Sequence, residues 1–285
     1  MASTTSLRTN KESAALIETV AKHKSCVGHK HVDDRRATSA MQLDKLDALS
    51  VGAGVALSAA AVMAYKAITA PKTPSGKLYF YYFPIAGRGE LSRLIAAAGG
   101  LEIEESKPGS DFNKAEYGSP SGMPLLCHGD LKISQSSAVQ KYLSSLVPRF
   151  AALSPAQQAT EDMFACIKED VLKGCAQVVF GGIANAPTEI PKHCDKWFDV
   201  VEGLLPAEGF ILGLGYPTVA DLAVLNMARG YMPFGASYKH GKYNYALKHP
   251  KMAALVERTA ATPGIKEYLA SSKSLTLSFL DVDKK

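Results

Sequence analysis

Cysteine is scarce in this chain, and it is poorly spaced for the structures it usually builds. The five cysteines (Cys26, Cys127, Cys166, Cys175 and Cys194) are odd in number and spread over 285 residues, with no CxxC among them. That argues against a disulfide framework and against a zinc site of usual spacing. It fits a reducing compartment. Basic runs interleaved with aromatics are also missing, and the net charge is only +5, so nucleic acid is not an expected partner. The first 48 residues lack the acid-poor composition of a transit peptide, because Glu12, Glu18, Asp33 and Asp34 interrupt it. His23, His29 and His31 lie in that Lys-rich stretch without well-placed carboxylate or Cys partners and read as part of a solvated tail.

Long apolar runs are rare too. The one candidate is Leu49 to Tyr65, LSVGAGVALSAAAVMAY, which is uncharged and extends weakly to Ile68. At about 1.5 Å per residue it barely reaches across a bilayer core, and it is rich in Ala and Gly. Residues 49–68 are therefore a candidate membrane anchor, which would hold the folded part in a cytosolic or organellar reducing compartment. The other reading is an Ala-rich helix packed on protein, or the tail of a removed targeting sequence. Residues 69–76 form a linker, because Pro71, Pro74 and Gly76 forbid a continuous helix.

The composition otherwise suits a globular protein, at 47% hydrophobic and 21% charged, and the length allows two domains. From Lys77 onward the pattern changes. Leu78 to Phe83 is an aromatic strand. Glu90 to Ala98 is a helix closed by Gly99 and Gly100. Leu101 to Ser106 is a second strand, and Asp111 to Tyr117 a short irregular helix or turn. Met123 to Cys127 and Leu131 to Ile133 are strands joined by a turn at His128-Gly129-Asp130. Ser134 to Leu146 is a helix with Ser residues as its expected caps. The order β-α-β-α-β-β-α spans 77–147. A second linker is expected from Pro148 to Pro155. Beyond it, 154–275 reads as all-helical, with helices at Pro155 to Val179, Pro191 to Leu204, Thr218 to Tyr231, Lys251 to Thr259 and Ile265 to Ser271.

Three features suggest chemistry. The aromatic strand ends in tyrosines, Tyr79, Tyr81 and Tyr82, and a phenol at a strand end can assist a thiol or another anion. Met123-Pro124 precedes a strand; a cis bond there would leave the Met123 N–H and C=O free to pair with a peptide-like ligand. Gln135-Ser136 opens a helix whose free N–H groups attract a carboxylate. A fourth feature, Thr218 to Asp221, reads as a capping box that fixes a buried helix start and serves folding.

In combination, YFPIAGRGELSRLI at 82–95, MPLL at 123–126 and ISQSSAVQKYL at 133–143 resemble the thioredoxin-like domain of glutathione transferases, especially the sigma-like, Tyr-type cytosolic branch. TVADLAV at 218–224 extends the resemblance through the helical half to about residue 270, leaving 1–76 as an additional N-terminal extension. The resemblance implies an α/β thioredoxin-like domain followed by an all-α domain, a homodimer, and detoxifying conjugation of glutathione, the co-substrate, to a hydrophobic electrophile without a metal. Related isomerase or peroxidase chemistry is also implied. The alternative is a non-catalytic structural or binding subunit of the same fold, with a membrane complex as one setting.

By the same resemblance Tyr82 is the catalytic phenol and Arg88 supplies charge beside it. Gln135 and Ser136 take the γ-glutamyl end of glutathione, and Met123 before a cis Pro124 pairs with its cysteinyl backbone. Asp162 falls near a family Asp that reaches across the dimer to the glutathione amine. Phe112 lies at the glycine end. There the chain departs from its relatives: Phe112 and Glu116 replace Trp and Lys, and Gly122 replaces a Lys or Gln. An inward-pointing Glu116 would repel the glycine carboxylate, and Lys114 is a candidate substitute for the missing cation.

Overall fold

The computed structural model describes residues 74–109, 112–272 and 274. The extension at 1–48, the candidate anchor at 49–68 and the first part of the linker lie outside the described residues. Among the described residues no helix is long and apolar enough to cross a membrane.

The first half is built on a four-stranded sheet. β1 (Leu78–Tyr81) alternates as a strand with one buried face should: Leu78 and Phe80 point inward, and Tyr79 points out. It lies between β2 (Ile103–Ser106), to which it is parallel, and β3 (Leu125–His128), to which it is antiparallel; β4 (Leu131–Ser134) completes the order β2-β1-β3-β4. A parallel pair needs a crossover, and α1 (Glu90–Gly99) supplies it. Its Leu91, Leu94 and Ile95 are buried with Phe80 and Leu126. Gly100, at φ +67°, ends the helix by returning its N–H to the carbonyls of Ala96 and Ala97. β3 and β4 form the expected hairpin, turning at Gly129 (φ +57°). α2 (Ser136–Leu146) adds Val139 and Leu143 to the same core. This is the thioredoxin-like arrangement expected.

The second half is helical, as expected, with α3 (Pro155–Gly181), α4 (Ala186–Leu204), α5 (Val219–Arg229), α6 (Ala236–Gly241), α7 (Pro250–Ala260) and α8 (Ile265–Ser271). α5 is its centre: every residue from Val219 to Met227 is buried, the mark of a helix surrounded by protein. Its start is held by Asp221, whose carboxylate accepts the Thr218 N–H (2.8 Å), the Thr218 hydroxyl (3.2 Å) and the Ile211 N–H (2.9 Å). The Glu161 carboxylate, from α3, accepts the Val219 N–H at 2.9 Å.

Several local expectations need correction. β1 stops at Tyr81, so Tyr82 lies just beyond the strand, although its N–H still reaches the Ser106 carbonyl at 3.1 Å. Serine caps do not start α2. Ser134 ends β4, and the cap position is Gln135, in a left-handed conformation (φ +73°) without a side-chain cap bond. The expected linker from Pro148 to Pro155 contains a helical turn, Pro148–Ala151. Pro148 fits the first helical position, and the Val147 carbonyl accepts the N–H groups of Phe150 and Ala151 (both 2.9 Å). α4 begins five residues before Pro191, which it accommodates in its interior. The chain between α5 and α7 is not one loop but a π-turn, Tyr231–Gly235, followed by α6.

Candidate active site

The site begins where β1 ends. After Tyr82 the chain turns through Pro84 and passes back over the tyrosine ring at Gly87 and Gly89. A Cβ at Gly87 would lie 2.4 Å from the Tyr82 hydroxyl oxygen, and one at Gly89 would lie 2.5 Å from ring atom Cδ1. Neither distance is tolerable, so two glycines are required for this backbone to cover this ring. Gly87 also adopts φ +44°, which favours glycine. The close approach delivers the Arg88 N–H to the Tyr82 hydroxyl oxygen at 2.9 Å. The oxygen therefore accepts, and its own proton remains to donate.

Burial pushes the Tyr82 phenol above its ordinary range, against the Arg88 N–H and the charges of Arg93 and Arg88, which pull it down. The balance keeps the phenol protonated at neutral pH. A protonated phenol with its oxygen already engaged is a directed hydrogen-bond donor.

Arg93 is the support that sequence reasoning did not single out. Its guanidinium is buried and lies 5.6 Å from the Tyr82 ring centroid. It donates to the carbonyls of Ile85 (2.7 Å) and Phe83 (2.9 Å), and it pairs with Glu105 (2.8 Å) and Glu90 (3.3 Å). One side chain thus clamps the loop after Tyr82 to α1 and β2. The i,i+3 spacing of Glu90 and Arg93 was the only local hint of it.

The start of α2 lies close to a second charged group. Ser136 Oγ donates to Glu169 Oε1 at 3.4 Å, and Glu169 Oε2 takes the Arg88 Nε–H at 3.1 Å. The buried Lys168 ammonium also pairs with Glu169. Burial alone would raise the Glu169 carboxyl, but Lys168 and Arg88 outweigh it and hold the group below the usual carboxylate range. Glu169 therefore stays ionised, and it ties α3 to both Arg88 and Ser136. The Arg88 side chain spends its charge on this carboxylate; its main chain is what meets the phenol.

A stretch of unpaired main chain precedes β3. The Met123-Pro124 bond is cis, and among the described residues the Met123 main chain makes no hydrogen bond.

Residues 169–272 match the family model described as "Glutathione S-transferase, C-terminal domain". The chain is 28% identical over 214 residues to a glutathione S-transferase of Plasmodium falciparum, an alignment covering 69% of this chain and 96% of the relative. It is 26% identical to glutathione S-transferase P 1 of Xenopus laevis, over 67% and 90% of the two chains. A solved glutathione S-transferase of Caenorhabditis elegans superposes with a TM-score of 0.56 at 25% identity, over 70% of this chain and 99% of the other. Over about two thirds of its length the chain is thus similar to glutathione S-transferases.

The remaining predicted residues fall into two groups. Phe112 stacks against Tyr81 (4.7 Å between centroids) and Tyr117 (5.3 Å). With Met123, Lys107 and Lys114 it lines an open cavity of about 760 Å³. Tyr81 is thus committed to that aromatic cluster, which leaves Tyr82 as the strand-end phenol turned toward α1. Glu116 does not line the cavity. It pairs with Lys132 on β4, and Lys132 holds its carboxyl below the ordinary range. The feared repulsion of a carboxylate is therefore absent, and Lys114 lines the cavity with its ammonium on the Ser121 carbonyl (3.1 Å).

Asp162, expected to act across the dimer, lies on α3. Its exposed carboxylate pairs with Lys141 of α2 at 2.6 Å. Seven residues further along α3, roughly 10 Å at helical rise, Glu169 occupies the place beside Ser136. Sequence reasoning also missed Ile85, Val179 and Met232, a small apolar cluster beside the Tyr82 loop. Its tie to that loop is the Gly87 N–H on the Met232 carbonyl, at 2.6 Å.

Proposed function

We propose that the protein conjugates glutathione to a hydrophobic electrophile, with Tyr82 donating the hydrogen bond that stabilises the glutathione thiolate, as in the Tyr-type, sigma-like branch. The observation that carries this reading is the Arg88 N–H on the Tyr82 hydroxyl oxygen, which leaves the phenol proton as the free donor. A thiol of pKa about 8.5 is mostly protonated at neutral pH. A hydrogen bond to its ionised form lowers that pKa and raises the thiolate fraction. The thiol proton leaves to solvent and the thiolate sulfur forms a bond to the electrophilic carbon; with an aryl halide the carbon–halogen bond breaks and halide departs, and in an addition the carbanion formed takes a proton from solvent.

The binding of glutathione follows from the same groups. Its γ-glutamyl carboxylate would meet the N-terminus of α2 and the Ser136 hydroxyl, with Gln135 beside it. Its α-ammonium would face Glu169. Its cysteinyl amide would pair with the main chain of Met123, extending antiparallel to the strand that cis Pro124 introduces. Its glycine carboxylate would enter the cavity of Phe112, Lys107 and Lys114. The electrophile would lie against Ile85, Val179 and Met232.

The test is retention on immobilised glutathione together with conjugation of 1-chloro-2,4-dinitrobenzene, comparing wild type with Tyr82→Phe. Wild type should bind and turn over, and the variant should bind but turn over slowly. Turnover equal in both would remove Tyr82 from the mechanism. A wild type that neither binds nor turns over would remove the enzyme reading.

A further inference from the structure

The Lys168 side chain, on α3, has no exposed surface (0%). Among the described residues its ammonium pairs with Glu169 alone. Burial draws that ammonium below its ordinary range, opposed by the charge and hydrogen bond of Glu169. A charge in such a place is costly, and a methionine would fill the same space without it. The pair ties no two elements together, because Lys168 and Glu169 are neighbours on one helix. Nor does Glu169 need Lys168 for a partner, since the Arg88 Nε–H already reaches its Oε2 at 3.1 Å.

The consequence is electrostatic. One negative charge, Glu169, meets two positive charges, Lys168 at Oε1 and Arg88 at Oε2, so the group sums to +1. The Ser136 hydroxyl also donates to Oε1, at 3.4 Å. Both carboxylate oxygens are therefore engaged. The positive end of α2 begins at the same serine. Lys168 acts through buried protein, where charges interact more strongly than in water. A ligand carboxylate here meets the helix end and the surplus positive charge. A ligand ammonium meets a carboxylate already held by two cations.

We propose that Lys168 determines specificity as a positioning residue: by neutralising Glu169 it lets the site take cysteinylglycine thiols acylated by a dicarboxylic acid, which carry the terminal carboxylate but no α-ammonium, as readily as glutathione. Lys168 touches no ligand; it acts through Glu169. The inference rests on the conjugation reading above, which places the γ-glutamyl end at Ser136 and Glu169. The reacting thiol is the same in both co-substrates, so only binding separates them.

The test is isothermal titration calorimetry on the full chain with S-methylglutathione and glutaryl-S-methylcysteinylglycine, which differ only in the α-ammonium. Wild type should bind the two within about threefold of each other, the range of a weak exposed ion pair. Lys168→Met removes the surplus charge and leaves Glu169 to Arg88. It should favour S-methylglutathione about tenfold, the recovery of one charge-assisted contact. Glu169→Gln takes the opposite step, leaving two positive charges, and should favour the glutaryl ligand by about the same factor. Circular dichroism checks both folds. With the free thiols and 1-chloro-2,4-dinitrobenzene, the ratio of the two KM values should move in the same directions, while the ratio of the two kcat values stays near one in each protein.

A packing role for Lys168 would weaken both ligands equally and leave their ratio unmoved. Two results would overturn the proposal: wild type binding S-methylglutathione more tightly by about tenfold, the full worth of a charge-assisted contact; or one ratio shared by wild type and the folded variants. Either result leaves the conjugation reading standing. Should Lys168→Met not fold, wild type and Glu169→Gln decide between these outcomes. Failure of both ligands to bind wild type would overturn the conjugation reading, and this inference with it.

Discussion

The loop over Tyr82 and the start of α5 use similar parts for opposite ends. Both place a buried polar side chain against backbone N–H groups. At α5 the accounts close: Asp221 accepts two N–H groups and a hydroxyl, and Glu161 accepts a third N–H. At Tyr82 they do not close. The phenol oxygen accepts the Arg88 N–H, and its proton is left without a protein acceptor among the described residues. Fully satisfied polar groups hold a fold together, while a group left with one unused donor is available to a ligand. Burial raises the pKa of both Tyr82 and Asp221. The shift therefore does not distinguish the two groups; the unused hydrogen-bond capacity of Tyr82 does.

The sharpest way to break this contrast is Asp221→Ala. It strands the Thr218 and Ile211 N–H groups in a buried place, and each costs about 1–3 kcal/mol. Chemical denaturation should show a loss of about 2–5 kcal/mol, while turnover per folded molecule stays near wild type. A loss of turnover at unchanged stability would put Asp221 among the working groups. Tyr82→Phe should do the reverse. It removes a hydrogen bond to a charged acceptor worth about 1.5–3 kcal/mol, so kcat/KM for an aryl halide should fall about ten- to hundredfold with stability nearly unchanged.

A third measurement sharpens the account of α5. Burial pushes the Glu161 carboxyl up to about 7, well above its value in an unfolded chain. Between about 4.5 and 7 the folded state holds a proton that the unfolded state has released, so stability falls as pH rises through this window. The contribution is complete below about 4.5 and lost above about 7. Denaturation midpoints of wild type and Glu161→Gln, compared from pH 4 to 8, should diverge by about 1–3 kcal/mol. Parallel profiles would mean that Glu161 ionises at its ordinary pKa. The smallest effect belongs to the open cavity. Lys114→Met should raise KM for glutathione about two- to fivefold with kcat unchanged, the loss of one exposed ionic contact. A fall in kcat would tie this cavity to the chemistry and not only to binding.

Much of the fold was legible because its signals are local. The inward alternation of Leu78 and Phe80, the helical spacing of Leu91, Leu94 and Ile95, and the glycines that close α1 each depend on neighbours a few residues away. The helical turn at Pro148 was missed because a proline starts a helix as readily as it ends one. The cap of α2 was misread because Ser134 and Ser136 look like capping residues, whereas Gln135 takes the left-handed backbone and the Ser136 hydroxyl is drawn to Glu169. Glu169 was not singled out, because nothing local shows which turn of α3 faces α2.

By itself the sequence determined the order of elements, the glycine pair around Arg88, the Met123-Pro124 step and the Thr218–Asp221 capping box of α5. These are set by backbone sterics and by hydrogen bonds between near neighbours. The resemblance pointed to Tyr82, and only the tertiary structure shows how the surroundings of the two strand-end tyrosines differ. Tyr81 is absorbed into a ring cluster with Phe112 and Tyr117, while Tyr82 is covered by the returning backbone and clamped by Arg93. Tertiary structure also brought Glu169 to Arg88 from 81 residues away. Those outcomes depend on how helices from the two halves meet, and no local pattern encodes the distance between them.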